Sequence, residues 1–303
     1  MKSIKELFTQ DFAPGCFILI DMEHPLKLYV GADDDGNYAL EYRGAFKPSA
    51  IKSSSIIGIK HYTKSGLNCF VISLLDHSML DTFSIFIGDL VEETRKSCDD
   101  KNGYQLITNR YYAWRKMFFQ KRRLLDEKEI MGLIGELLFL KEQIIPLCGN
   151  ARALSAWSGQ EKTKKDFSVD QTWYEVKTIN YGKDSVRISS IEQLDSQVDG
   201  HLVVYHLERM SQVFDGIRLN SLCRTILSML TSIETKDLFL EKLANAGFSF
   251  ESDYDEYVYE VKAMEQYSVG SDFPKLSKHM IPDGISKVQY DLLIATIIQF
   301  KEN

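Results

Sequence analysis

Three side chains in the stretch KDFSVDQTWYEVKTIN (165–180) have the types and spacing for chemistry on a phosphate. Glu175 and Lys177 are two residues apart, so on a strand both project to one face while Val176 projects to the other. If the chain reverses in two residues at Asp170-Gln171, antiparallel partners share a constant sum of residue numbers and Asp166 falls opposite Glu175. Like charges opposed across strands are destabilising. Two neighbouring carboxylates have two comfortable states: one takes a proton, or both stay ionised around a divalent cation. Lys177 favours the second state, because its charge helps keep both acids ionised. That suits Mg²⁺ (or Mn²⁺), a hard cation that takes a few carboxylates and retains waters. Water beside such a cation and an amine is a potential nucleophile, and the cation also offsets charge developing on a phosphate.

A fourth acid joins the pattern. Glu136 in GLIGELLFL shares a helical stripe with Leu133, Leu140 and Ile144. A carboxylate in an apolar stripe is costly unless it is paired or binds a metal. The plainer account is a boundary residue that snorkels to solvent or pairs with a lysine. Gly132 and Gly135 would let this helix approach another backbone closely, as packing against the hairpin requires. The sequence also carries a rival, YEVKAM, which repeats the spacing at Glu260 and Lys262 below Asp253 and Asp255. Charged alternation of that kind is usually a solvated strand face. The first copy is preferred because a helix acid precedes it and a polar cluster follows it. That cluster, VRISSIEQLDSQ, offers Ser189, Ser190 and Gln193 at a strand end and helix start, with Arg187 and Lys183 as possible backbone contacts. Ser as an ordinary helix cap accounts for it equally well.

The elements that must position these groups follow from periodicity. Residues 1 to about 100 read as β-rich: CFILIDM, LKLYVGADDDGNYALEYRG, IIGIKHY and NCFVISLLD are short β-branched or aromatic runs, and DDDGN is a credible hairpin turn. Helix then takes over. In NRYYAWRKMFFQKRRLL, Tyr111, Trp114, Phe118 and Leu125 fall on one face with Lys116 and Arg123 on the far side. Trp114, Phe118 and Phe119 sit at core-helix spacing and read as packing. DEKEIMGLIGELLFLKEQIIP starts with Asp126 and Glu129 in a capping pattern, and Pro146 marks its end. Residues 150–210 read as strands with one short helix. Beyond them LNSLCRTILSMLTSI and TKDLFLEKLANAGF look helical, DEYVYEVKAMEQYSV like strand, and KVQYDLLIATIIQF like a closing helix or buried strand.

Composition bounds the function classes. At 303 residues, 44% hydrophobic and 26% charged, the chain is an ordinary globular protein with room for one large domain or two. Five scattered cysteines (Cys16, Cys69, Cys98, Cys148, Cys223) form no Cys-x-x-Cys pair, which argues for a reducing cytoplasm over zinc or disulfides. His201 and His206 flank the apolar run LVVY and read as packing. The N-terminal stretch lacks a secretory signal, and no apolar run is long enough for a bilayer, so the expected location is cytoplasmic with no membrane partner. The net charge of −7 hides an uneven distribution: residues 101–125 carry +7 and the rest −14. A basic stretch on an acidic protein can be a phosphate footprint, or simply a solvated helix face.

Asp166, then Glu175-Val176-Lys177 after a short hairpin, preceded by a helix bearing Glu136, resembles the PD-(D/E)XK nuclease superfamily. More narrowly, GELLFL, WSG before the Asp, ISSIEQL, LANAGF, YSV and FPKL…IPDGI…VQYDL resemble an uncharacterised bacterial group of PD-(D/E)XK motif proteins linked to restriction and phage defence. The resemblance covers residues 105–303. It implies a mixed α/β (α+β) fold: a restriction-endonuclease-like core whose central mixed sheet is flanked by helices, plus an N-terminal β-rich region. The expected domains are 1–104, accessory, and 105–303, nuclease-like with a C-terminal α/β extension. It also implies that Asp166 and Glu175 ligate the metal, that Lys177 positions water, and that Glu136 assists. The partner would be DNA, contacted by Gln193, Arg187, Lys183, Lys116 and Arg123, with other defence subunits and a homodimer as further partners. Lys165 departs from the pattern by replacing its proline. The alternatives are a catalytically silent nuclease-like subunit that binds DNA or protein, and a pure interaction scaffold.

Overall fold

The computed structural model describes residues 4–96, 99–119, 123–158 and 165–302; Cys98, Gly159, Lys121, Arg122 and the Phe119 side chain lie outside the described set. The chain divides into two units: Met1–Arg122 with Ser249–Glu251, and Arg123–Phe248 with Ser252–Asn303.

In the first unit the β-branched runs become β1 (Phe17–Leu19), β2 (Lys27–Ala32), β3 (Tyr38–Gly44), β4 (Ile57–Lys64) and β5 (Leu67–Leu74). They form an antiparallel sheet in the order β1-β2-β3-β5-β4. DDDGN is the β2–β3 turn, where Asp33 Oδ1 accepts the Asn37 and Asp35 amides at 2.8 and 3.0 Å. Three helices join the sheet: α1 (Ile4–Phe8), α2 (Leu80–Thr94) and α3 (Asp100–Phe119). The β-rich reading missed α2. Phe83, Phe86, Ile87 and Leu90 are all buried and recur at helical spacing, a signal obscured by their high strand propensity. Tyr111, Trp114 and Phe118 are buried on α3 as expected. Leu125, however, lies in irregular chain before the next helix and so is not part of that helical stripe.

The second unit opens with α4 (Glu127–Phe139). Asp126 and Glu129 close a reciprocal capping box at 2.9 and 3.0 Å. A π-helical turn (Leu140–Ile144) leads into α5 (Ile145–Cys148) and, past Gly149 at φ 77°, α6 (Asn150–Ala156). Pro146 therefore sits in the first turn of α5, where its missing N–H is harmless, instead of ending the preceding helix. Next come β6 (Phe167–Val169), β7 (Thr172–Asn180), β8 (Ser185–Ile188), β9 (Gly200–Met210), α7 (Leu219–Met229), α8 (Ile233–Asn245), β10 (Val258–Val269), β11 (Tyr290–Leu293) and α9 (Ile294–Ile297). The sheet order is β10-β9-β7-β6, with β7 and β9 parallel and the other pairs antiparallel. This is the expected mixed sheet flanked by helices. β8 pairs with β11 in a small second sheet, and the closing segment is both strand and helix. Trp173, Ile179, Val186, Ile188, Leu202, Val204 and Tyr267 share one apolar core.

Candidate active site

The hairpin forms in the expected register. Phe167 faces Tyr174, Ser168 faces Trp173 and Val169 faces Thr172, so continuing the count sets Asp166 against Glu175. Asp170 turns the chain at φ 53°, a left-handed conformation that Asp tolerates better than most residues. The pairing stops at Phe167, and Asp166 then takes over with its side chain: Oδ2 accepts the Val176 N–H at 2.7 Å. A carboxylate thus continues the hydrogen bonding along β7 where the partner strand has ended.

Glu175 and Lys177 share a face of β7, and Lys177 Nζ lies 2.6 Å from Glu175 Oε1. The Glu175 side chain is fully buried, while Lys177 keeps 18% of its side-chain surface. Both Glu175 oxygens are buried: Oε1 is served by the Lys177 ammonium, and Oε2 has no hydrogen-bond partner among the described residues. Burial pushes the Glu175 carboxyl up to about 8 against the pull of Lys177, with Asp166 adding to the rise. Burial likewise raises Asp166, opposed by Lys177 and the Val176 N–H. Lys177 responds in the other sense: burial works against its charge, but Glu175 and Asp166 outweigh it and raise its pKa.

Glu136 approaches from α4. That helix lies close to β7 at Gly135, where an added Cβ would come 2.3 Å from Thr178 Cγ2. Gly132 has nothing within 4 Å, so only one of the two glycines serves close approach. Thr178 and Val176 alternate with Glu175 and Lys177, so α4 covers the opposite face of β7 from the ion pair. Glu136 Oε2 accepts the Trp157 indole N–H at 2.7 Å. Burial, then Asp166, push its carboxyl up to about 8, with Glu175 adding to the rise. Its field therefore reaches the hairpin acids, but no three His, Cys, Asp or Glu side chains among the described residues gather at a single ion-sized point.

The remaining sequence candidates are mostly engaged with protein partners. Gln193 Oε1 accepts the Ser189 N–H at 2.7 Å, which makes it a loop brace. Arg187 pairs with Asp291 at 2.7 Å and Gln289 at 3.0 Å. Arg123 pairs with Glu129 at the start of α4. Lys183 is exposed in the turn after β7, and Lys116 is exposed on α3. Of the basic stretch, Arg110 is buried in a core ion pair, its Nε 2.9 Å from Asp89 Oδ2, and cannot reach a phosphate. The rival Lys262 bridges Glu260 at 2.6 Å and Glu208 at 2.8 Å on an open strand face, the solvated arrangement expected of it.

Two residues escaped sequence reasoning as parts of the site. Lys165, at the proline position, donates to Gln193 O at 2.8 Å, reaches Asp195 O at 3.4 Å and lies 3.6 Å from the Trp173 ring centre. Three donors meet three partners, so this ammonium clamps the loop before β9 instead of serving substrate. Burial pushes its pKa down to about 8. Trp157 is the other, 21 positions from the Glu136 that it binds, a separation no local pattern reveals.

The donor set fits a divalent cation. The Glu175 oxygen without a partner is an open acceptor, and burial disfavours the charge on both acids, an effect a bound cation would offset. A two-carboxylate set suffices for Mg²⁺, which fills its shell with waters and substrate oxygens. Compared with known families, residues 10–295 match a family model described as "Putative PD-(D/E)XK family member, (DUF4420)". No curated protein and no solved structure matches the chain.

Proposed function

The chain belongs to this PD-(D/E)XK family, and on that premise we propose that it is a Mg²⁺- or Mn²⁺-dependent endonuclease that hydrolyses DNA phosphodiester bonds within a bacterial restriction or phage-defence system. The observation that carries the reading is the fully buried Glu175 carboxylate, with Oε2 unpartnered among the described residues, beside Asp166 and Lys177. Lys177 offsets part of that burial, but a buried carboxylate oxygen left without a partner still costs about 1–3 kcal/mol.

Asp166 and Glu175 hold the cation, and Glu136 assists through its field. When bound, the cation supplies Lewis acidity to phosphate oxygens and acidity to water. Lys177 orients the attacking water: its ammonium is anchored at Glu175 yet keeps solvent access, so its other protons remain available. In-line attack on phosphorus expels the 3′ oxygen or its counterpart, and the lysine charge offsets the growing negative charge.

Incubating the full chain with plasmid DNA, with and without Mg²⁺, tests the reading. Cleavage is expected only with metal, with a loss of about 10²–10³-fold in Glu175→Ala and Lys177→Ala, the scale of losing one electrostatic group. Lys262→Ala is expected to cleave like the unaltered chain. Equal cleavage by a folded Glu175→Ala/Lys177→Ala double variant would overturn the assignment. If the chain binds divalent metal and DNA but never cuts, the silent-subunit reading replaces it.

A further inference from the structure

One dipeptide touches both ends of the acid constellation. Trp157 is fully buried, and its indole N–H donates to Glu136 Oε2 at 2.7 Å. The next residue, Ser158, donates its backbone N–H to Asp166 O at 2.8 Å, and Trp157 bridges to Phe167 in strand fashion. The Trp157 backbone is itself fixed: its N–H donates to Ala153 O at 3.1 Å, and its carbonyl accepts the buried Lys242 ammonium. Its ring packs 6.1 Å from that of Phe239. The segment is held at four points and in turn holds an acid on each side.

This arrangement solves a specific problem. Glu136 comes from a helix on one face of β7, and Glu175 projects from the other. A carboxylate on a helix has free χ3 rotation, and its field at the hairpin depends on where the charge lies. A single N–H bond from this anchored ring restrains that rotation by holding Oε2 in place. A hydrogen bond to a carboxylate favours the ionised form, and here it opposes the burial that drives Glu136 toward neutrality.

We propose that Trp157 is a positioning residue for Glu136: the indole orients the helix carboxylate toward the Asp166–Glu175 pair, and the Trp157-Ser158 dipeptide fixes the distance between the two acid-bearing elements. The proposal rests on the metal-site reading above. Its bond is a supporting contact to a group near the metal, and such contacts typically change metal affinity by 10–100-fold.

A double-mutant cycle on the full chain tests it, read by Mn²⁺ calorimetry. Trp157→Phe keeps most of the ring and removes the donor, and Glu136→Met removes the acceptor at similar volume. Each single change is expected to weaken Mn²⁺ binding about tenfold, and the double variant no further than either single. Purely structural damage from the tryptophan change would instead multiply with Glu136→Met. Full multiplicativity, or Trp157→Phe binding within twofold of the unaltered chain, would overturn the proposal. Should Trp157→Phe fail to fold, the unaltered protein gives a second readout. The Trp157 indole ¹⁵N–H signal is expected to move on Mg²⁺ addition and to stay put in Glu136→Met. A signal indifferent to Mg²⁺ while calorimetry reports binding would overturn it equally. Absence of any Mn²⁺ binding by the unaltered chain would remove the metal-site reading itself, a distinguishable result.

Discussion

Asp166 bonds to the backbone of Val176, not to its cross-strand neighbour Glu175: Oδ2 accepts the Val176 N–H at 2.7 Å. The contact has two separable functions. It completes the hydrogen bonding of β7 past the end of β6, and it delivers a negative charge beside Glu175. The first needs an acceptor oxygen, the second a charge.

Substitutions at Asp166 should therefore split. Asp166→Asn retains a carbonyl oxygen for Val176 and is expected to keep or raise stability, since a buried charge disappears. Asp166→Ala leaves the Val176 N–H unpaired and should cost about 1–3 kcal/mol in chemical denaturation. Both should lose divalent-metal binding. If Asn is as destabilising as Ala, the ladder role is wrong; if Asn binds metal normally, the charge role is.

The two acids with raised pKa values predict how stability changes with pH. Glu136 and Glu175 have an ordinary value of 4.5 and are pushed up to about 8, chiefly by burial. The folded chain thus binds protons that the unfolded chain has released. Their contribution to stability is complete below about 4.5 and is lost as pH rises through about 8. In EDTA the melting temperature should fall across that window, and Mg²⁺ should flatten the decline. A Glu136→Gln/Glu175→Gln variant should not show it. An identical slope in that variant would mean that the titration arises elsewhere.

The two glycines of α4 give opposite expectations. Gly135→Ala places a methyl 2.3 Å from Thr178 Cγ2, and relieving that clash should cost about 1–3 kcal/mol. Gly132→Ala meets nothing within 4 Å and should gain up to about 1 kcal/mol from helix propensity. Urea denaturation of the two single variants decides the matter: equal effects would contradict the close packing of α4 on β7.

Much of this was legible in the sequence, and the reason is local physics. The hairpin register, the common face of Glu175 and Lys177, and the Asp126–Glu129 capping box each depend on interactions within about ten residues. Spacing alone specifies them. What spacing did not specify depends on contacts between distant segments. That Lys262 of the rival motif is also engaged by Glu208 shows only across the β9–β10 strand pair. Arg110 counts toward the +7 of the basic stretch, yet its charge is spent on Asp89 in the core. Lys165 and Trp157 have partners 28 and 21 positions away, so no window on the sequence contains both ends of either bond. Sequence determined which residues bear charge and which face of a strand they share. Tertiary packing decided which of those charges are buried and which lack a partner, because burial is set by what folds over a residue and not by its neighbours in the chain.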